Sequence, residues 1–256
     1  MSKLEIHQIP VLNDNYLYLF KEPESGLVGI VDPAVAGPVL DKCRELGWTL
    51  THIINTHHHG DHTGANLELK EKTGCTIVGA DIDAARIPGI DIRVKEGDIF
   101  EFGTEKARVF EVPGHTSGHI AYWFENSDAL FCGDTLFALG CGRLFEGTPA
   151  QMWASLGKFR NLPDETKVYC AHEYTEANAR FAVTVDPKNK ALQDRYQEIR
   201  KFRAENISTV PSTLGLEKST NPFLRADDPA VQAEIGLAGS DPVTAFAEIR
   251  SRKDNF

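Results

Sequence analysis

Thr56-His57-His58-His59-Gly60-Asp61-His62-Thr63-Gly64 is the stretch on which the reading of this chain turns. Within six residues it sets three imidazoles and one carboxylate that can bind metal, those of His57, His59, His62 and Asp61. Ile53 and Ile54 before it read as a buried strand, and Ala65 to Lys72 after it as a helix. Polar loops leaving the end of a core strand are where α/β proteins place their chemistry. Neutral imidazole suits zinc, iron and manganese, and carboxylate adds a harder oxygen ligand. The bland alternative is a solvated His-rich tract. Such tags sit at termini and lack an interposed Asp61 and flanking Gly60 and Gly64.

Working outward, 256 residues suffice for one large domain or one domain plus a smaller one. Hydrophobic residues at 41% and charged ones at 25% are those of an ordinary globular protein with a real core. No apolar run approaches the ~20 residues of a membrane span, and the first residues carry no signal-peptide core. A cytoplasmic protein with no membrane partner is therefore expected. A net charge of −10 argues against a nucleic-acid partner, because phosphate backbones select basic surfaces. The five cysteines (Cys43, Cys75, Cys132, Cys141 and Cys170) are odd in number and widely spaced, with no Cys-x-x-Cys. That pattern fits free thiols in a reducing compartment better than disulfides or a Cys-based zinc site.

The N-terminal third reads as strands at Leu4–Val11, Tyr16–Phe20 and Leu27–Val31, then a helix from Gly37 to Leu46 and the strand Leu50–Asn55. The middle third offers strands at Thr76–Gly79, Ile99–Phe102, Ala107–Val112, His119–Phe124 and Ala129–Cys132, a helix from Pro149 to Phe159, and a last strand Lys167–Cys170. Together these predict a layered α/β architecture with mixed sheets. Helices are expected over Glu176–Val185, Lys190–Asn206, Pro229–Ile235 and Pro242–Arg252, the last two with Pro in or near the first turn. The change of character after Tyr174 places a boundary there, with residues 1–173 as one domain and 174–256 as a helical one.

Four strand ends deliver candidate ligands. They are the opening motif, Pro113-Gly114-His115-Thr116, Gly133-Asp134-Thr135 and Ala171-His172-Glu173-Tyr174. These motifs, with Gly140-Cys141-Gly142-Arg143 and Arg250-Ser251-Arg252-Lys253, resemble the metallo-β-lactamase superfamily and, within it, the glyoxalase II or hydroxyacylglutathione hydrolase family. The resemblance runs from near the N-terminus to the last residues. It implies an αββα sandwich of two mixed sheets with a C-terminal helical domain, residues 174–256, that helps to bind glutathione.

The resemblance also implies two divalent metal ions per chain, zinc first, with iron or manganese as alternatives. His57, His59 and His115 would hold one; Asp61, His62 and His172 the other; Asp134 would bridge them. Only a carboxylate can present two oxygens to two cations. Water between such ions loses a proton near neutral pH, which would make it the nucleophile, with Asp61 and Asp134 the protein groups nearest the chemistry. The implied reaction is hydrolysis of S-D-lactoylglutathione to D-lactate and glutathione by a monomer. A thiolate leaves readily at its ordinary pKa of about 8.5. Arg143, Tyr174, Arg250 and Lys253 match substrate-binding positions of the family, and Arg250 and Lys253, three apart in a helix, share a face. Phe145 departs from the Tyr usual in the family and lacks its hydroxyl.

Other histidines and cysteines read differently. His58, between His57 and His59, should point away from a metal. His119 stays outside the ligand set, and His7 and His52 carry no motif. Cys132 and Cys170 read as small buried hydrophobes. The rival within the superfamily is a persulfide dioxygenase using one iron, against which the helical tail argues. A lactonase or nucleic-acid hydrolase needs a different surface, and a degenerate scaffold would not keep all seven proposed ligands.

Overall fold

The computed structural model describes residues 2–256 and divides into two compact units. One holds the chain up to Glu111 together with Gly118–Gly133; the other holds Val112–Ser117 and Asp134–Phe256.

The first unit opens with β1 (Glu5–Val11), β2 (Asn15–Lys21) and β3 (Val28–Val31). Helix α1 (Ala36–Leu46), β4 (His52–Ile54), the single turn α2 (Gly60–Thr63), α3 (Asn66–Thr73), β5 (Thr76–Ala80) and β6 (Ile92–Val94) follow. The six strands form one sheet in sequence order, antiparallel from β1 to β3 and parallel from β3 to β6. Strands β7 (Ile99–Phe102), β8 (Glu105–Glu111), β9 (Ile120–Phe124) and β10 (Ala129–Gly133) make an antiparallel run beyond it.

Strand β2 shows why the alternation expected of a half-exposed strand is missing. Leu17 and Leu19 join a core with Val39 and Cys43 of α1 and Leu69 of α3. Tyr18 and Phe20 point the other way, and the Phe20 ring lies 4.9 Å from Phe102, 5.8 Å from Phe124 and 5.5 Å from Phe131. Both faces of the sheet are covered, so β2 is apolar throughout. Gly29 lies opposite Phe20 in register, and a Cβ there would come within 2.3 Å of the Phe20 ring. Only glycine leaves room for that ring.

In the second unit the hairpin β11 (Leu136–Phe137) and β12 (Gly140–Cys141) precedes α4 (Pro149–Arg160) and β13 (Lys167–Cys170). Then come α5 (Thr175–Val185), α6 (Lys190–Ala204), β14 (Ser212–Thr213), α7 (Leu214–Thr220), α8 (Pro229–Glu234) and α9 (Pro242–Asp254). Thr148 and Gln151 close a capping box at the start of α4, with Pro149 at its first position. Leu139, Ala179, Ala182, Leu192 and Ile199 form one core, and Phe223 touches both Phe181 and Phe246. No helix among the described residues is long and apolar enough to cross a membrane.

The expected elements are present with ends that agree to within two residues, the usual uncertainty of frayed termini. Strand β6, the hairpin β11–β12, β14 and α7 went unread in the sequence. Each of them is short, at seven residues or fewer.

Candidate functional site

In the first unit, β3 and β4 run parallel with Val31 opposite Ile54. The residues that leave these two strands therefore lie side by side. Asp32, just past β3, accepts from the Thr56 backbone N–H at 2.7 Å and from the Thr56 hydroxyl at 2.6 Å. His62 Nδ1 lies 3.1 Å from Asp32 Oδ2. A carboxylate only accepts here, so His62 Nδ1 carries the proton and Nε2 the lone pair. Thr56 Oγ1 has given its proton to Asp32, so it accepts from His57 Nδ1 at 3.1 Å, and His57 Nε2 is likewise left with its lone pair. His57 Nε2 faces His59 Nδ1 at 3.1 Å, and His62 Nε2 lies 3.4 Å from Asp61 Oδ2. Asn15, at the start of β2, donates to the same Asp61 oxygen at 3.1 Å.

In the second unit, His115 Nδ1 donates to the Arg143 carbonyl at 2.9 Å, which again reserves Nε2. That Nε2 lies 3.4 Å from Asp134 Oδ2, while His172 Nε2 lies 3.4 Å from Asp134 Oδ1. Each Asp134 oxygen thus has its own imidazole. The loop carrying His115 is stitched to the next one. Gly147 N–H bonds the Gly114 carbonyl at 3.0 Å, and Glu146 accepts from Ser117 N–H at 2.7 Å and its hydroxyl at 2.8 Å. A Cβ on Gly147 would sit 2.6 Å from Gly114 Cα, so glycine is needed for this approach.

These spacings test whether the donors suit a metal. Ligands at the usual zinc–nitrogen distance of about 2.0–2.1 Å on a tetrahedral ion lie roughly 3.3 Å apart. The four donor pairs, at 3.1 to 3.4 Å, match that edge. Neutral imidazoles and carboxylates of this kind fit divalent zinc, iron or manganese.

His58 turns away and binds Asp83 at 2.9 Å. His119 stacks on His57 at 4.6 Å. Burial pushes the Cys141 thiol up to about 11 and the Cys170 thiol up to about 12, which suits inert packing rather than ligation.

The substrate-binding candidates all lie in the second unit. Tyr174, 38% exposed, stacks parallel to His172 at 4.7 Å. Phe145, 63% exposed, lies 5.1 Å from the His115 ring. Arg143 is exposed. Arg250 is only 5% exposed; it donates to the Cys141 carbonyl at 2.9 Å and pairs with Asp254 at 2.8 Å. Lys253 donates to the Ala177 carbonyl at 3.2 Å and lies over the Phe181 ring. Burial first, then the nearby cations Arg250, Arg180 and Arg143, hold Lys253 below its usual pKa. Asp32, Asn15, Asp83 and Arg180 escaped the sequence reading. Asp32-Pro33 directly after an apolar strand was the one available hint.

A family model described as the hydroxyacylglutathione hydrolase C-terminus matches residues 173–256, and the metallo-beta-lactamase superfamily model matches residues 16–172. The chain is similar to a hydroxyacylglutathione hydrolase of Methylococcus capsulatus, 62% identical over 99% of each chain. Among solved structures it is similar to ETHE1 from Myxococcus xanthus, with a TM-score of 0.67 and 27% identity over 97% of this chain and 98% of that one. It is also similar to TTHA1623 in a di-iron-bound form, with a TM-score of 0.62 and 25% identity over 86% of this chain and 100% of that one. The fold is accordingly the expected α/β metallo-β-lactamase type with a C-terminal helical region.

Proposed function

This chain belongs to the hydroxyacylglutathione hydrolases of the metallo-β-lactamase superfamily, and we propose from that premise that it cleaves S-D-lactoylglutathione to D-lactate and glutathione with two divalent ions, zinc in preference to iron or manganese. His57, His59 and His115 would hold one ion, and Asp61, His62 and His172 the other, with Asp134 available to both. The observation that carries this is the pairing of each Asp134 oxygen with a different imidazole at 3.4 Å. When bound, the ions supply Lewis acidity and bring a water's proton loss toward neutral pH.

The protein's own groups prepare that chemistry. His57, His62 and His115 each keep Nδ1 protonated on a fixed acceptor, so each offers Nε2 in one orientation. Asn15 holds Asp61 by donating to its Oδ2. The thioester needs no dedicated general acid, because its thiolate leaves near its ordinary pKa of about 8.5. Residues 1–173 act as the catalytic domain, and 174–256 as the glutathione-binding one, a division supported by the family models meeting at 172 and 173.

Glutathione carries two carboxylates, which Arg143, Arg250 and Lys253 attract while Tyr174 offers a ring and hydroxyl. Arg250 acts through its charge and by holding the Cys141 carbonyl, since it is buried. The exposed Phe145 ring can offer apolar contact but no hydrogen bond. The protein works as a cytoplasmic monomer.

The test is loss of thioester absorbance when metal-replete protein meets S-D-lactoylglutathione. Turnover that a chelator abolishes is expected, with His59→Ala and Asp134→Ala inactive and depleted of metal. Two bound ions without turnover would remove the substrate assignment. Oxygen uptake with glutathione persulfide would favour the dioxygenase.

A further inference from the structure

Asp32 is a buried group that the proposed ligand set does not use, and it reaches one proposed ligand directly and a second through Thr56. Its side chain is 2% exposed, and its backbone φ of 48° lies in the left-handed region that non-glycine residues seldom occupy, Asp and Asn being the commonest exceptions. One oxygen takes the Thr56 N–H; the other takes the Thr56 hydroxyl and faces His62 Nδ1. Thr56 passes the same constraint to His57. Asp32, His57 and His62 offer ligand atoms within 4.8 Å of one another, but both Asp32 oxygens are already engaged by Thr56 and His62. Asp32 therefore orients and does not ligate.

We propose that Asp32 is a positioning residue common to both metal sites, holding His62 directly and His57 through the Thr56 hydroxyl, so that the two sites are tuned together by one carboxylate. The inference rests on the assignment of His57 and His62 to different ions. Asp32 fixes the tautomer as well as the direction of each ring. With the amide of an asparagine in its place, one arm could still accept the Thr56 N–H, but the –NH2 would face His62 Nδ1 and the Thr56 hydroxyl. His62 would then have to accept at Nδ1 and carry its proton on Nε2, the nitrogen meant for the metal. Removing such an outer partner typically lowers metal affinity about 10–100-fold. The effect is strong here because Thr56 and His57 are fully buried and His62 nearly so.

The experiment is titration of the full-length apo protein with Zn2+ against a chromophoric chelator, which resolves the two loading steps without any activity measurement. Cobalt(II) absorption serves as a second readout of ligand field. Asp32→Asn keeps the left-handed backbone and is expected to weaken both steps about 10-fold or more. Thr56→Val keeps the N–H and removes only the hydroxyl, so it should weaken one step by a similar factor and largely spare the other. Thr56→Ser should restore wild-type loading, which a purely structural role for the hydroxyl at this buried spot would not require. Loss confined to one step in Asp32→Asn, or Thr56→Val loading like wild type, would overturn the proposal. If Asp32→Asn does not fold, the Thr56 pair still decides it. Wild type binding fewer than two ions would instead count against the metal assignment above.

Discussion

Glu217 of α7 is fully buried, and replacing it should cost the protein more than any surface change of equal size. Its Oε1 takes Arg195 at 2.5 Å, and its Oε2 takes the Leu139 N–H at 2.8 Å and the Asn221 amide at 3.1 Å. Arg195 is itself 6% exposed and also donates to the Thr220 hydroxyl at 2.6 Å. Glu217→Ala leaves a buried guanidinium uncompensated, a loss of about 3–5 kcal/mol. The Asn221 amide keeps the Phe137 and Gly140 carbonyls as acceptors, so only the Leu139 N–H is orphaned, adding on the order of 1 kcal/mol and making the expected loss about 4–6 kcal/mol. Glu217→Gln keeps one acceptor and the volume, and should lose about half as much. Leu139 sits at a φ of 58° in the turn between β11 and β12, downstream of Asp134 and upstream of Arg143. Loss of its anchor should therefore lower kcat as well as stability. Urea denaturation of the metal-loaded protein measures the first, provided the slope m is unchanged. A Glu217→Ala protein within 1 kcal/mol of wild type, or Gln as damaging as Ala, would refute the reasoning.

Two other expectations follow from charge. Arg180 lies three residues after Ala177 on α5, beside the Lys253 ammonium, and is exposed. Arg180→Ala should raise KM for the glutathione thioester about 3–10-fold with kcat retained, in line with ~1 kcal/mol for an exposed charge pair, and the gap should narrow in high salt; an unchanged KM at low salt would exclude it. Burial raises the Glu22 carboxyl, but bonds from Ser25, Glu24 and Thr104 outweigh it and hold the pKa at about 2 against an ordinary 4.5. A carboxyl depressed on folding contributes stability above its unfolded pKa and loses it as pH falls toward the folded one. Glu22→Gln should thus be less stable than wild type at neutral pH, and the difference should shrink between pH 4.5 and 2. A constant difference across that window would rule the linkage out.

What the sequence by itself determined was the chemistry and its family. Metal ligation depends on residue type at short spacing, and His57, His59, Asp61 and His62 carry that information within one loop. His115, Asp134 and His172 stand at other strand ends as candidates, and the family resemblance is what joins them to that set. Long amphipathic helices were also legible, because periodicity accumulates over the 15 residues of α6, and the shorter α8 was marked by the Pro at its first turn.

The tertiary structure decided which groups hold those candidate ligands and which are spent on the fold. Asp32 reaches Thr56 across 24 residues and His62 across 30, and Glu217 reaches Leu139 across 78. No local pattern encodes such partners, since a carboxylate in a loop looks alike whether it orients an imidazole or faces water. Arg250 makes the same point from the other side. Three apart from Lys253 on a helix, it read as sharing a substrate-binding face, and its guanidinium is buried on the Cys141 carbonyl. Helical spacing says which residues share a face; only the packing of other elements says whether that face meets water.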